Sequence, residues 1–167
     1  GDDLGKTFGA MKVANRGISG DTTRGMLVRL PGDVLVLKPA AVVILAGTND
    51  LEEKAAPAVI AENMRLILAA LRAHRSNLPV VLCKVFPSSA SKSRPADQIQ
   101  ALNALYAGLV KDQPQVTLVE TWKTFADLAG DATLAEFPDL LHPNEAGYKK
   151  WGAAIRPVLA TLGLVPA

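Results

Sequence analysis

The sequence predicts an α/β domain in which a parallel sheet is covered by helices on both faces. Continuous apolar runs alternate along the chain with segments of helical period, and a strand that is buried on both faces has such an uninterrupted apolar run. Composition agrees, because 49% of the 167 residues are hydrophobic and 20% are charged, as in an ordinary globular protein. We therefore expect a single domain over residues 1–167.

Four apolar runs are the predicted strands. The first is short and stops at Asn15-Arg16-Gly17, and Gly47 and Pro87 end the second and third, since glycine and proline interrupt regular structure. In chain order the runs are Met11–Ala14, Ala41–Ala46, Pro79–Phe86 and Val116–Val119.

Helices are predicted where apolar residues recur three and four positions apart, over 60–71, 99–109 and 148–162. Pro57 suits the first turn of the first of these helices, and Pro157 is expected to kink the last. A shorter helix is predicted from Thr22 to Leu30, stopped by Pro31-Gly32.

Charge and composition argue against several classes of function. The 18 Lys and Arg and 16 Asp and Glu residues give a net charge of +2, and they form no basic stripe that would indicate nucleic-acid binding. No apolar run reaches the ~18 residues of a membrane span. The chain has a single cysteine, Cys83, so it cannot form an internal disulfide or a cysteine zinc cluster. The absence of G-x-G-x-x-G and P-loop motifs disfavours a nucleotide-binding domain.

Three polar segments are candidates for a site. Two directly follow predicted strands and the third precedes the last predicted helix, and ligands in such folds bind beyond the carboxyl ends of the strands. Gly20 precedes a helix, where its backbone N–H would suit an oxyanion or where a tight turn needs glycine. Asp21 or Thr22 is expected to cap that helix. Asn49, in Gly47-Thr-Asn-Asp50, offers a side-chain amide for the same purpose, or the segment is a turn whose aspartate caps a helix.

The third segment places Asp139 three residues before His142. A carboxylate that fixes one imidazole nitrogen leaves the other free as a general base. The alternative is that Asp139 or Asn144 caps the last helix and His142 is incidental. The only other histidine, His74, is expected to be solvated near a helix C-terminus.

No serine stands out as a nucleophile. Ser19 lies in Gly17-Ile-Ser-Gly-Asp21, which lacks the second glycine of the G-x-S-x-G motif. Ser88 and Ser89 belong to a polar loop, and Cys83 lies inside a predicted strand and is expected to be a buried apolar residue.

The segments NRGISGDTT, GTND and DLLHPNEAGY together resemble blocks II, III and V of the SGNH, or GDSL-type, hydrolases. The likeness runs from Val13 to Leu159 and is greatest to the small branch that contains the platelet-activating-factor acetylhydrolase catalytic subunits. It implies a flavodoxin-like three-layer α/β/α sandwich and a serine esterase or lipase that needs no metal or organic cofactor. It also implies roles for four residues: Gly20 and Asn49 in the oxyanion hole, and Asp139 and His142 in a catalytic triad.

The family's first block, which carries the nucleophilic serine, has no counterpart in this chain. Gly1-Asp2-Asp3 is only superficially similar, because Asp3 stands where serine is needed and no strand precedes it. We expect the first strand and its serine to lie upstream of Gly1, so that the domain over 1–167 is N-terminally incomplete.

The missing strand would be interior in a sheet of order 2-1-3-4-5. Its slot would lie between Met11–Ala14 and Ala41–Ala46. An upstream piece, a swapped copy or a partner chain is therefore expected to fill it.

The sequence thus predicts hydrolysis of a small-molecule carboxylic ester through an acyl-enzyme. The alternative is a non-catalytic module that keeps the pocket and binds esters, acetylated glycans or a protein partner.

Overall fold

A computed structural model describes Phe8 and residues 12–166 of the chain. In this part of the chain, three parallel strands form a sheet of order β1-β2-β3. Val43 lies opposite Val81, and Val81 lies opposite Thr117. The strands are β1 Val42–Ile44, β2 Val80–Cys83 and β3 Val116–Val119.

The helices alternate with the strands. Short 3-10 turns at Leu35–Leu37 and Ala90–Lys92 complete the regular structure of the described residues. The α-helices are α1 Thr23–Asp33, α2 Thr48–Glu52, α3 Pro57–His74, α4 Ala96–Leu109, α5 Thr121–Phe125 and α6 Glu145–Thr161.

Alternate residues of β2 enter two different cores. Val80 and Leu82 belong to a cluster with the apolar stripes of α3 and α4. Val81 and Cys83 belong to a second cluster, which includes Ile155 and Leu159 of α6. The sheet is thus the middle one of three layers, which confirms the predicted α/β class with helices on both faces.

Helix α3 shows how the apolar spacing builds this packing. Pro57 occupies the start of the helix, as expected, where its missing N–H costs no hydrogen bond. The helix then buries the residues that share one face, which are Ile60, Ala61, Met64, Ile67, Leu68 and Leu71.

The strand predicted at Met11–Ala14 is wrong for the residues that can be compared. Met11 lies outside the described residues, and Lys12, Val13 and Ala14 are irregular and exposed. A short apolar run becomes a strand only when a neighbouring strand accepts its backbone hydrogen bonds. No described strand lies beside this segment.

The predicted end of the first helix at Pro31-Gly32 is also wrong, because α1 continues to Asp33. Pro31 falls in the last turn, where its missing N–H deprives only one carbonyl of a partner. The N–H of Val34 donates to Leu30 O at 3.0 Å and closes the helix.

Strands β1 and β2 are shorter than the apolar runs that predicted them. Ala46, Val85 and Phe86 follow the paired segments and are still buried. Burial at the carboxyl edge of the sheet, rather than strand pairing, accounts for their apolar character.

Strand β1 has only one described neighbour. The N–H of Val42 donates toward β2, to Pro79 O at 3.0 Å, so the N–H of Val43 points to the other edge, as alternation along a parallel strand requires. Val43 is 36% exposed, whereas Val81 beside it is fully buried. The β1 edge is thus unpaired within the described part of the chain, and its middle residue is exposed.

Within the described part of the chain, no helix has both the length and the apolar character that crossing a membrane requires.

Two leucines of α3 provide a matched test of this packing. Leu68 is 1% exposed and Leu66 is 37% exposed on the same helix. Leu68→Ala should lower the free energy of unfolding by about 2–5 kcal/mol, because it leaves a cavity in the core. Leu66→Ala should cost clearly less in the same urea denaturation experiment. Equal losses for the two variants would contradict the described packing.

Candidate functional site

A tight turn before α1 shapes the first part of the site. The N–H of Asp21 donates to Ile18 O at 3.2 Å, and Gly20 has a φ of +78°. A Cβ added at Gly20 would meet nothing within 4 Å, so the backbone conformation, not space, requires glycine here. Thr22 is the cap of α1, because its hydroxyl accepts from Gly25 N at 3.2 Å.

Asn49 lies against this turn. Its side-chain Nδ2 donates to Asp21 O at 2.9 Å, which brings the predicted residues Gly20 and Asn49 into one neighbourhood. Gly47, which precedes α2, has a φ of +116° and lies so close to α4 that an added Cβ would lie 2.8 Å from a methyl carbon of Leu102.

Asp50 of α2 connects the Asn49 segment to the start of α1. Its carboxylate is buried and accepts from the Thr23 N–H, at 3.1 and 3.0 Å to its two oxygens, and from the Thr23 hydroxyl. Asp50 lies in α2, but its carboxylate caps α1 and not its own helix. A negative charge is also favoured there by the α1 helix dipole.

Asp139 and His142 form a carboxylate–imidazole pair. His142 Nδ1 lies 2.6 Å from Asp139 Oδ2. The backbone N–H groups of Leu141 and His142 both donate to the other carboxylate oxygen, at 3.0 and 2.7 Å. The His142 side chain is 70% exposed, so its ring is open to an approaching molecule.

These hydrogen bonds change the acidity of Asp139. The side chain of His142, and then the backbone N–H groups of His142 and Leu141, hold the pKa of Asp139 well below its usual range. Asp139 is therefore ionised at neutral pH and fixes the His142 ring by accepting from Nδ1–H, the tautomer that this contact favours.

The segment that carries this pair is held from both sides. Leu140 has a φ of +61°, and its carbonyl accepts from the Ser88 hydroxyl at 2.7 Å. Asn144 caps α6 by accepting from Gly147 N at 3.0 Å. Of the two capping residues considered, Asn144 is thus the one that caps the helix, and Asp139 instead contacts His142.

Arg94 is a residue of the site that the sequence pattern does not single out. Its side chain is 2% exposed, and its Nη2 donates to Asn49 Oδ1 at 3.2 Å. Its backbone N–H donates to Ser89 O at 3.1 Å, next to the serine that holds Leu140. The loop after β2 therefore links the Asn49 neighbourhood to the Asp139–His142 segment. An arginine within a polar loop carries no sequence signal of burial.

The other candidates have different surroundings. Burial raises the pKa of the Cys83 thiol to about 12, which makes it a poor nucleophile at neutral pH. The Ser88 hydroxyl is buried and engaged with Leu140, and Ser89 Oγ accepts from Ser91 N at 3.2 Å. His74 is exposed in the last turn of α3. Gly1-Asp2-Asp3 lies outside the described residues.

Among the residues described, no cluster of three or more His, Cys, Asp and Glu side chains is arranged to hold a metal ion.

Residues 1–150 match the GDSL-like Lipase/Acylhydrolase family. The chain is 28% identical over 145 residues to platelet-activating factor acetylhydrolase IB subunit alpha2 of Homo sapiens, with 86% of this chain covered. It spans 62% of the length of that relative. It is 30% identical over 151 residues to esterase TesA of Pseudomonas aeruginosa, covering 90% of this chain and 71% of the esterase.

Solved structures are also similar. A GDSL-like lipase from Bacteroides thetaiotaomicron superposes with a TM-score of 0.76 at 28% identity, over 87% of this chain and 74% of the lipase. A carbohydrate esterase family 3 protein from Talaromyces cellulolyticus gives a TM-score of 0.69 at 25% identity, over 87% and 70% of the two chains.

Because hydrogen bonds lower the pKa of Asp139 in the folded state, the free energy of unfolding should depend on pH. A carboxyl group whose pKa is lowered by folding stabilises the folded state above its unfolded pKa of about 3.9, and this contribution is lost as the pH falls through the folded-state pKa. The difference in free energy of unfolding between the wild type and Asp139→Asn should therefore shrink between about pH 6 and about pH 2. Urea denaturation across this range measures it, and a difference that grows on acidification would contradict the assignment.

Proposed function

Because the chain belongs to the GDSL-like lipase/acylhydrolase family, we propose that it forms the catalytic site of a carboxylic ester hydrolase that works through a serine acyl-enzyme. The single observation that carries the proposal is the contact of 2.6 Å between His142 Nδ1 and Asp139 Oδ2. A fixed carboxylate orients the ring so that Nε2 is the nitrogen available for proton transfer.

Acylation begins when His142 Nε2 accepts the proton of a serine hydroxyl, as the serine oxygen bonds to the ester carbonyl carbon. The carbonyl oxygen becomes an oxyanion, for which the Gly20 N–H and the Asn49 side-chain amide are the proposed donors. Asp139 stabilises the imidazolium that forms. The tetrahedral intermediate then collapses, and His142 gives its proton to the departing alcohol.

Deacylation repeats these steps with water. His142 Nε2 accepts a proton from water as its oxygen attacks the acyl carbon, and the same donors hold the second oxyanion. Collapse breaks the bond between the acyl carbon and the serine oxygen. The serine recovers its proton from His142, and the acid leaves.

The nucleophilic serine is proposed to lie upstream of Gly1. The environments of Ser88 and Cys83 support this, because the Ser88 hydroxyl is buried against Leu140 and the Cys83 thiol is buried in the core. The proposed substrate is a small-molecule ester.

The open edge of β1 is the proposed place for a further strand, supplied by an upstream segment, a swapped copy or a partner chain. The outward direction of the Val43 N–H and the exposure of Val43 support this. Pairing along this edge would satisfy backbone groups that otherwise face solvent.

Substitutions in the native full-length protein test the catalytic proposal. His142→Ala should lower kcat for 4-nitrophenyl acetate by roughly 10²–10⁴-fold, because the general base is lost. Asn49→Ala should lower kcat by roughly 10²–10³-fold through loss of one oxyanion donor. Steady-state kinetics measure both.

His74→Ala is the matched control, since His74 is the other histidine and is exposed on α3. It should leave kcat and KM unchanged. If His142→Ala retains wild-type kcat, the proposed mechanism is wrong. If the unsubstituted protein binds the ester without hydrolysing it, the site is a binding module.

Hydrogen exchange of the β1 amides tests the proposed strand. In the 167-residue chain held as a monomer, the amide of Val43 should exchange much faster than that of Ile44, which points toward β2. In the native full-length protein both should exchange slowly. Sedimentation of each sample separates pairing by an upstream segment from pairing with a second copy. Slow exchange of Val43 in the monomeric 167-residue chain would show that its edge is already covered.

A further inference from the structure

A buried guanidinium group lies behind the Asn49 side chain. Arg94 is 2% exposed, whereas Glu52, its ionic partner at 2.7 Å, is 56% exposed. Two backbone carbonyls also accept from this group, Thr48 O from Nε at 3.0 Å and Lys92 O from Nη1 at 2.7 Å. Burying a charged group costs desolvation free energy. Apolar side chains could hold the loop after β2 against α2 without that cost, so a structural role alone does not account for an arginine here.

The fourth acceptor of Arg94 is the oxygen of the Asn49 amide, at 3.2 Å from Nη2. An asparagine amide can turn over with little change in shape, which exchanges a donor for an acceptor. A guanidinium group has donors only, so it binds the oxygen and turns the Asn49 Nδ2 group away from itself. Asp21 O, which accepts from Nδ2 at 2.9 Å, selects the same orientation from the opposite side.

This orientation matters for the reaction. Nδ2 carries two hydrogens, and Asp21 O uses one, which leaves one for an oxyanion. The reversed amide would present its oxygen to the developing negative charge and would oppose it. A charged donor on Oδ1 also polarises the amide and strengthens its N–H as a donor.

We propose that Arg94 is a positioning residue for ester hydrolysis, which fixes and polarises the Asn49 amide so that its N–H faces the oxyanion. This rests on the proposed function, because it assigns Asn49 to the oxyanion hole. Arg94 itself acts through Asn49 and holds no reacting atom.

Kinetics of the native full-length protein distinguish positioning from a structural role. Arg94→Gln should lower kcat per folded active site by about 10–100-fold, with KM changed less than about threefold, since the oxyanion exists only after binding. Arg94→Lys should recover part of the loss. Arg65→Lys, on the exposed face of α3, is the matched control and should match the wild type. Wild-type kcat per folded site in Arg94→Gln, or a loss confined to KM, would overturn the proposal.

NMR spectroscopy tests the contact between Arg94 and Asn49 without a measurement of activity. An NOE should connect the Nη2 hydrogens of Arg94 with the side-chain amide hydrogens of Asn49, and Arg94→Lys should shift those amide signals whereas Arg65→Lys should not. The lack of that NOE with resolved Arg94 signals, or of that shift in folded Arg94→Lys, would overturn the proposal. If the wild type does not hydrolyse esters, the proposed function fails, and these spectra still decide whether Arg94 orients Asn49.

Discussion

The contact between Asp50 and Thr23 is the constraint on which the geometry of the candidate site depends. It joins α2, which follows β1, to the first residue of α1, and Asn63 of α3 donates to the same Thr23 hydroxyl at 3.1 Å. Losing these hydrogen bonds would leave a buried carboxylate unsatisfied, and an unsatisfied buried polar group costs about 1–3 kcal/mol, or more when it is charged. Gly20 and Asn49 lie on the two segments that Asp50 and Thr23 join, so their approach follows from this contact.

The second half of the site depends on the loop after β2. Ser88 holds the carbonyl of Leu140, and Arg94 holds the oxygen of Asn49. One loop therefore links the proposed general base, His142, to the proposed oxyanion donor Asn49, although these residues come from distant parts of the chain. Under the proposed function, this arrangement gives a reason for a charged, buried residue in a loop that has the composition of a surface turn.

Local patterns predicted the layers of the fold well. The apolar run at Val116–Val119 matches β3, and the spacing of Ile60, Met64 and Ile67 marks the buried face of α3, because burial on one face leaves a period in the sequence. The run at Met11–Ala14 misled, since four residues do not reveal whether a neighbouring strand exists. Pro31 misled because its effect depends on its distance from the end of the helix.

The candidate site was predictable only where short motifs carry chemistry. Asp139 and His142 are three residues apart in the sequence, so the short segment before α6 brings them together. Such a spacing can be recognised in a sequence. The roles of Asp50 and Arg94 arise between segments far apart in the chain, 27 residues for Asp50 with Thr23 and 45 for Arg94 with Asn49. No local pattern encodes such contacts.

Fluorophosphonate labelling with peptide mapping tests the central claim most directly, because the reagent forms a bond only with an activated serine. The account predicts that the native full-length protein is labelled on one serine upstream of Gly1, and that labelling slows strongly in His142→Ala. The 167-residue chain should remain unlabelled. A folded full-length protein that is not labelled, or one whose labelling rate does not depend on His142, would contradict the account.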